Sequence, residues 1–329
     1  MKSKLIASIT VALVLLYSAW GVYISLMPKQ IDPMQATQEH VSNDITRKNL
    51  PPSGAVFTST LVELIDNLLE KNGGYVSNDL AVKAKLYDNM PNMELGMIYM
   101  IRDAVDLLRS DFSRSQSQSK EDDNLKKAQP AMNIDNKSWI FPASESSYRE
   151  ASEHILLYLK DMVDPTKPDV QFYTRADNLV KYFDKVNQRL GAMSHALIEN
   201  VGQERINTNL AGDSAARETT YTRRTETVQH SWMEIDNAFY EARGSVYALI
   251  PLLKAIRIDF YEVLEKKNAI ASLDQIILEM EETQKTVWSP AIMNGSGFGL
   301  FANHSLSMAS YIGRANAAII DLKNLLEKG

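Results

Sequence analysis

Residues 288–305 read WSPAIMNGSGFGLFANHS, in which Gly295, Gly297 and Gly299 alternate with other residues before Asn303, His304 and Ser305. Glycines let backbone approach a ligand closely. The start of a helix offers free amide donors and the positive end of its dipole, so the pattern suits a phosphate or carboxylate. Asn294, Gly295, Gly297 and His304 are therefore candidate ligand-binding residues. The spacing matches neither the dinucleotide fingerprint nor the phosphate-binding P-loop, both of which need a preceding strand. The competing reading is a turn between helices, with Asn303 capping the next helix and Phe298 and Phe301 stapling the corner into the core.

Charged residues within helical segments form the other constellation: Arg175 and Asp177 in FYTRADN, Glu241 and Arg243 in IDNAFYEARG, and Arg314 in YIGRANAAII. Arg175, Glu241 and Arg243 would complete a binding site if they met the loop 294–304. Asp177 and Glu241 have the chemistry of a general acid and base, but sequence spacing does not bring them to a working distance. The same groups suit ion pairs that fix helix register. No catalytic residue is assigned. The chain has no cysteine, and its five histidines lack H-x-x-x-H or H-E-x-x-H spacing, so neither a metal centre nor a cofactor is indicated. There is no Gly-x-Ser-x-Gly nucleophile elbow either.

The net charge of −6 leaves no basic excess to neutralise a phosphate backbone, so nucleic acid is not an expected partner. Lys2 and Lys4 precede an uncharged run, residues 5–27, that can cross about 30 Å of hydrocarbon as a helix. The run exceeds the apolar core of a cleaved signal peptide and lacks a small-x-small exit. It reads as an uncleaved signal anchor, with Tyr17, Trp20 and Tyr23 towards its far end and the lysines left in the cytoplasm. The expectation is a single-pass inner-membrane protein with the bulk of its chain in the periplasm.

The elements that must position the candidate residues are helical. Residues 28–56 are polar, carry Pro28, Pro33, Pro51 and Pro52, and read as a tether before a helical domain at 57–329. Phe57, Leu61, Leu64 and Leu68 recur at helical spacing before Gly73-Gly74. Ile98, Ile101, Val105, Leu108 and Phe112 form a second stripe after Pro91. Residues 113–130 look too polar to pack. Two longer seams follow, from Phe172 to Leu197 and from Trp232 to Val263, the second carrying Pro251 where a kink is expected. A last stripe joins Met308, Ile312, Ala315, Ile319, Leu322 and Leu326. Some thirty residues between the seams, including Arg223 and Arg224, read either as helix extensions or as a surface loop. The predicted fold is all-α: an elongated multi-helix bundle with long coiled-coil-like helices, preceded by one transmembrane helix.

FYTRADNL, RLGAMS, NTNLAGD, IDNAFYEARG and above all WSPAIMNGSGFGLFANHSLSMASYIGRANAAIIDL resemble a proteobacterial domain-of-unknown-function family numbered 2333. The resemblance runs along nearly the whole chain and implies a Gram-negative envelope protein. It brings no activity and no catalytic residues with it. Long amphipathic helices without recognisable chemistry point to protein interaction or scaffolding, with another envelope protein as the expected partner and self-association left open. The alternative is a small-ligand-binding protein or enzyme using the 294–304 loop and the charges named above.

Overall fold

The computed structural model describes residues 2–42, 44–46, 49–79, 88–115, 120–199, 203–206, 225–228, 235–289, 291–295 and 301–328. The described residues are overwhelmingly helical, as predicted: α1 (Lys2–Ile24), α2 (Pro33–His40), α3 (Ala55–Glu70), α4 (Asn89–Leu107), α5 (Asp123–Met132), α6 (Ser144–Val163), α7 (Ala176–Glu199), α8 (Ile235–Asp259), α9 (Tyr261–Lys266), α10 (Ile270–Glu282) and α11 (His304–Lys328). A short antiparallel pair, β1 (Gln203–Ile206) and β2 (Thr225–Val228), lies between α7 and α8 in sequence and was not anticipated.

Every residue of the 98–112 stripe is fully buried, as are Leu179, Phe183, Leu190 and Leu197 on α7 and Ile312, Ala315, Ile319 and Leu322 on α11. Apolar residues three and four apart share one helix face, and burying that face drives assembly. The α7 seam begins later than predicted, because Phe172 precedes the helix. There it joins a ring cluster with Phe57, Phe112, Tyr182 and Phe260. The α8 helix runs through Pro251 without interruption, while Trp232 lies outside the described residues.

Cross-helix pairs set the helix directions. Phe57 on α3 meets Phe112 just past α4, ring centroids 5.4 Å apart, and Lys71 just past α3 pairs with Glu94 near the start of α4, so α3 and α4 are antiparallel. Arg189 donates to Asp103 at 2.7 Å, and Lys181 pairs with Asp111, so α7 runs against α4. Lys323 reaches Asp184, which sets α11 against α7. In contrast, α4 and α8 are parallel, as Asn92–Asn237 (2.8 Å) at their starts and Phe112–Phe260 (centroids 5.5 Å) at their ends require. The bundle thus has two ends. The starts of α4, α8 and α11 and the finish of α3 and α7 share one, called proximal here because α1 joins it. The ring cluster marks the other, distal, end.

Two polar segments pack where the sequence reading left them loose. The expected tether, 28–56, carries α2, capped by Asp32, whose carboxylate accepts from Met34 N at 2.8 Å, with Pro33 in its first turn. Ala36 and Ile45 are buried, and Tyr247 donates to the Lys29 carbonyl, so described residues of this segment pack against the bundle. Similarly, α5 occupies much of 113–130 and buries Leu125, Ala128 and Met132. Both helices show one short apolar face that a few contacts with longer helices suffice to hold.

The α1 helix is the one described helix long and apolar enough to cross a membrane. Its side chains from Leu5 to Leu16 are exposed. Its C-terminal end is not: Ile24 is fully buried, and Trp20 packs against the core. Gly73, at φ +84, makes room for it, since a Cβ there would come within 2.6 Å of Ile24 Cγ2.

Candidate functional site

The loop before α11 is built as a ladder. Gly295 N donates to Ala302 O (3.1 Å) and His304 N to Met293 O (2.8 Å), pairing Asn294 with Asn303. A Cβ on Gly295 would lie 2.4 Å from Phe301 O, so the two strands of the ladder approach as closely as glycine allows. Asn303 ties the ladder to the helix, donating through Nδ2 to Gly295 O (2.8 Å) and accepting from Leu306 N through Oδ1 (2.8 Å). That second bond is the predicted N-cap. His304 Nδ1 accepts from Met293 N at 3.0 Å, which places the ring proton of a neutral imidazole on Nε2. Its ring stands edge-on to Phe239, centroids 6.4 Å apart.

The geometry bears on anion binding directly. The first three amides of α11 have acceptors in the loop, His304 N on Met293 O, Ser305 N on Asn294 Oδ1 (3.4 Å) and Leu306 N on Asn303 Oδ1, and Ser307 N makes the first intrahelical bond, to Asn303 O (3.1 Å). The donors that would hold a phosphate are spent on the turn. Phe301 is 68% exposed, so it does not staple the corner into the core as expected. Gly297, Phe298 and Gly299 lie outside the described residues.

Arg243 and Glu241 are at the same end of the bundle but serve the helices. Arg243 is buried on α8 and donates from Nη2 to the carbonyls of Gln284 (3.0 Å) and Lys285 (2.9 Å), just past α10, while Gln284 Nε2 donates back to Arg243 O (3.2 Å). These carbonyls belong to the turn that follows α10, and a cation held there also lies at the negative end of that helix's dipole. Burial lowers the Arg243 pKa, with Tyr240 opposing; its Nε is buried without a hydrogen-bond partner. Burial also pushes the Glu241 carboxyl up, and Arg189 opposes the shift. That arginine is already held in a fork by Asp103 (2.7 and 3.1 Å) and stacks on the Tyr99 ring at 4.8 Å.

Arg175 is not with them. It precedes α7 at the distal end, forked onto Asp177 (2.9 and 2.5 Å) and donating to Ser115 O. Since α7 and α11 are antiparallel, Arg175 and His304 stand at opposite ends of a 24-residue helix, about 35 Å at 1.5 Å per residue. The predicted meeting of Arg175 with the 294–304 loop therefore does not occur, because helix direction separates them. Arg175 instead borders a cleft of about 410 Å³ with Asp111, Arg114, Asn178 and Lys181. Beneath it α4 widens into a π-helical turn, Leu108–Phe112, whose freed carbonyls are answered by Asn178 Nδ2 on Asp111 O (3.1 Å) and Tyr173 N on Phe112 O (2.7 Å).

Three arrangements had no clear sequence signal. Lys71 and Glu94 form an ion pair with both side chains fully buried; Glu94 also accepts from Val76 N (2.9 Å) and Ser77 N (2.8 Å). Burial pushes the Glu94 carboxyl up, with Lys71 and these donors opposing. Asp259, closing α8, accepts from Phe57 N at 2.7 Å and faces the amides of Gly54 and Val56, so it caps α3 where Gly54 has no side chain to do so. Burial outweighs those donors and raises its pKa to about 7. The third, Trp139-Ile140-Phe141, is an exposed apolar tip whose only sequence cue was three large apolar residues beside a proline in a polar stretch.

Among the described residues no group of three or more histidine, aspartate or glutamate side chains is arranged to hold a metal ion. No curated protein and no solved structure matches this chain. A family model does, over residues 1–329, and its description is an uncharacterized protein conserved in bacteria. With the match spanning the chain from the apolar α1 through the ladder and α11, this protein belongs to the family DUF2333.

Proposed function

We propose that α1 is retained as a transmembrane anchor and that the helical bundle is a periplasmic interaction module that binds another envelope protein. The observation that carries the anchor is the burial of Ile24 against Gly73. A signal peptide leaves the mature protein, whereas this helix contributes its last turn to the folded core. Losing Ile24 would open a cavity lined by Gly73, at a cost of about 2–5 kcal/mol by analogy with truncated core side chains.

The interaction reading rests on a surface cleft of about 620 Å³ between α2 and α8. Met34, Leu50, Ile258 and Tyr261 give it apolar walls, and Lys254 and Arg257 give it a charged rim. Leu50 and Tyr261 are both exposed there. An apolar centre with a polar rim is the anatomy of a protein interface.

The test is affinity capture of the full-length protein from crosslinked, detergent-solubilised membranes, with residues 1–27 alone as the control. The expected result is a protein of intact N-terminal mass together with a stoichiometric partner that the control does not recover. Partner yield should fall when Leu50→Glu and Tyr261→Glu are combined. Recovery of a soluble chain lacking residues 1–27 would overturn the anchor. Recovery of nothing beyond the control would overturn the interaction role.

A further inference from the structure

Four of the described tryptophan and phenylalanine side chains are exposed: Trp139 (59%), Phe141 (94%), Trp288 (93%) and Phe301 (68%). They belong to two loops remote in sequence, yet both loops are at the proximal end. The first is pinned there by Tyr75 Oη on Asn136 O (2.6 Å) and Asn78 Nδ2 on Ser138 O (2.8 Å). Residues 75–78 follow directly on Gly73, the residue against which α1 ends, and their amides bind Glu94 near the start of α4. The second loop joins the finish of α10 to the start of α11, beside Arg243 and Phe239 near the start of α8.

The first loop is also braced on both sides of its apolar tip. Ser138 Oγ donates to Pro142 O (2.7 Å) and Ser144 Oγ to both Asp135 O (2.9 Å) and Ser138 O (2.8 Å). Phe141 has φ +43, a left-handed conformation that a bulky side chain rarely adopts. A strained backbone that turns a phenylalanine out of the fold, beside an exposed tryptophan, is unfavourable in water alone. Tryptophan gathers where a membrane meets water, because its apolar ring with a polar N–H suits the headgroup region, and a phenylalanine beside it adds purely apolar surface that lipid solvates better than water does.

From this geometry, and resting on the anchor reading above, we infer that the 139–141 loop, together with Trp288 and Phe301, dips into the outer face of the same bilayer that α1 crosses. The domain lies against the membrane on three points: α1, Trp139-Ile140-Phe141, and Trp288 with Phe301. The contact is apolar. Glu39, Glu63, Asp66 and Glu70 line a neighbouring cleft at the foot of α1, so anionic headgroups add nothing to it.

The chain has no cysteine, so single labels can be placed without background. Full-length protein carrying Phe141→Cys, Phe301→Cys, Leu15→Cys or Tyr261→Cys is spin-labelled and reconstituted in phosphatidylethanolamine and phosphatidylglycerol vesicles. Collision with oxygen, which partitions into lipid, is compared with collision with a water-soluble nickel chelate. Labels at 15, 141 and 301 are expected to favour oxygen and the distal label at 261 to favour nickel, with the same order in phosphatidylcholine. If 15 favours oxygen while 141 or 301 favours nickel or is shielded from both reagents, the loop contact is wrong and the anchor stands. If 15 itself favours nickel, the anchor reading fails and this inference falls with it.

Discussion

Gly96 on α4 and Gly244 on α8 lock the two parallel helices at backbone contact: a Cβ on Gly96 would lie 2.0 Å from Glu241 O, and one on Gly244 would lie 1.9 Å from Met93 O. Ser245 Oγ adds a bond to Gly96 O at 3.2 Å. The clashing atoms are backbone and cannot swing aside. Gly96→Ala or Gly244→Ala should each destabilise the domain by about 3 kcal/mol or more, at the upper end of overpacking costs. Thermal melting in detergent checks this, and wild-type-like melting of either variant would refute the packing.

The Lys71–Glu94 pair predicts an asymmetry. Glu94→Gln leaves a buried ammonium without its counter-charge and should cost about 3–5 kcal/mol, whereas Lys71→Met combined with Glu94→Leu should recover much of that loss. Urea unfolding of the two variants decides it, and a double variant no better than Glu94→Gln would argue that the Val76 and Ser77 amides, rather than the charge, dominate.

Asp259 makes stability depend on pH. Its folded pKa of about 7 lies above that of an unfolded aspartate, so the folded state binds more protons between the two values. The contribution is full below the unfolded pKa, near 4, and is lost as pH rises towards 7. Melting temperatures should decline across that window in the wild type. Asp259→Asn, which keeps an acceptor but no charge, should flatten this part of the profile; an unchanged slope would exclude Asp259 as its source.

His304→Ala should act locally. The variant loses the bond to Met293 N, so that amide should exchange with solvent faster while the melting temperature falls only slightly, in keeping with a net bond worth of about 1 kcal/mol. Asn303→Ala removes the cap of α11 and should cost about 1 kcal/mol. Unaltered Met293 exchange in the first variant would show that the ring does not hold the loop.

Long helices were legible because each repeats its apolar face over many turns. The stripes ending at Phe112 and Leu326 were readable residue by residue, and the one ending at Leu197 from Leu179 onward. Short helices were not: α2 rests on Pro33, Ala36 and Thr37, too few positions to define a period, although Asp32 before Pro33 was a legible helix start. The candidate site was legible in its parts. Asn303 caps as read, but spacing carries no information on whether α7 and α11 run with or against each other, and that direction alone parts Arg175 from His304. Gly96 and Gly244 gave no warning, since a close crossing of two helices depends on partners some 150 residues apart.

The burial of Ile24 has a mechanical corollary. With α1 retained in the bilayer as proposed, no slack separates it from the bundle, so a change in helix tilt, such as a thinner or thicker bilayer imposes, would pass undamped into the domain. The bundle is a lever about 35 Å long, so a tilt of about 10° would carry its distal end, with Asp259 and the Arg175 cleft, sideways by about 6 Å.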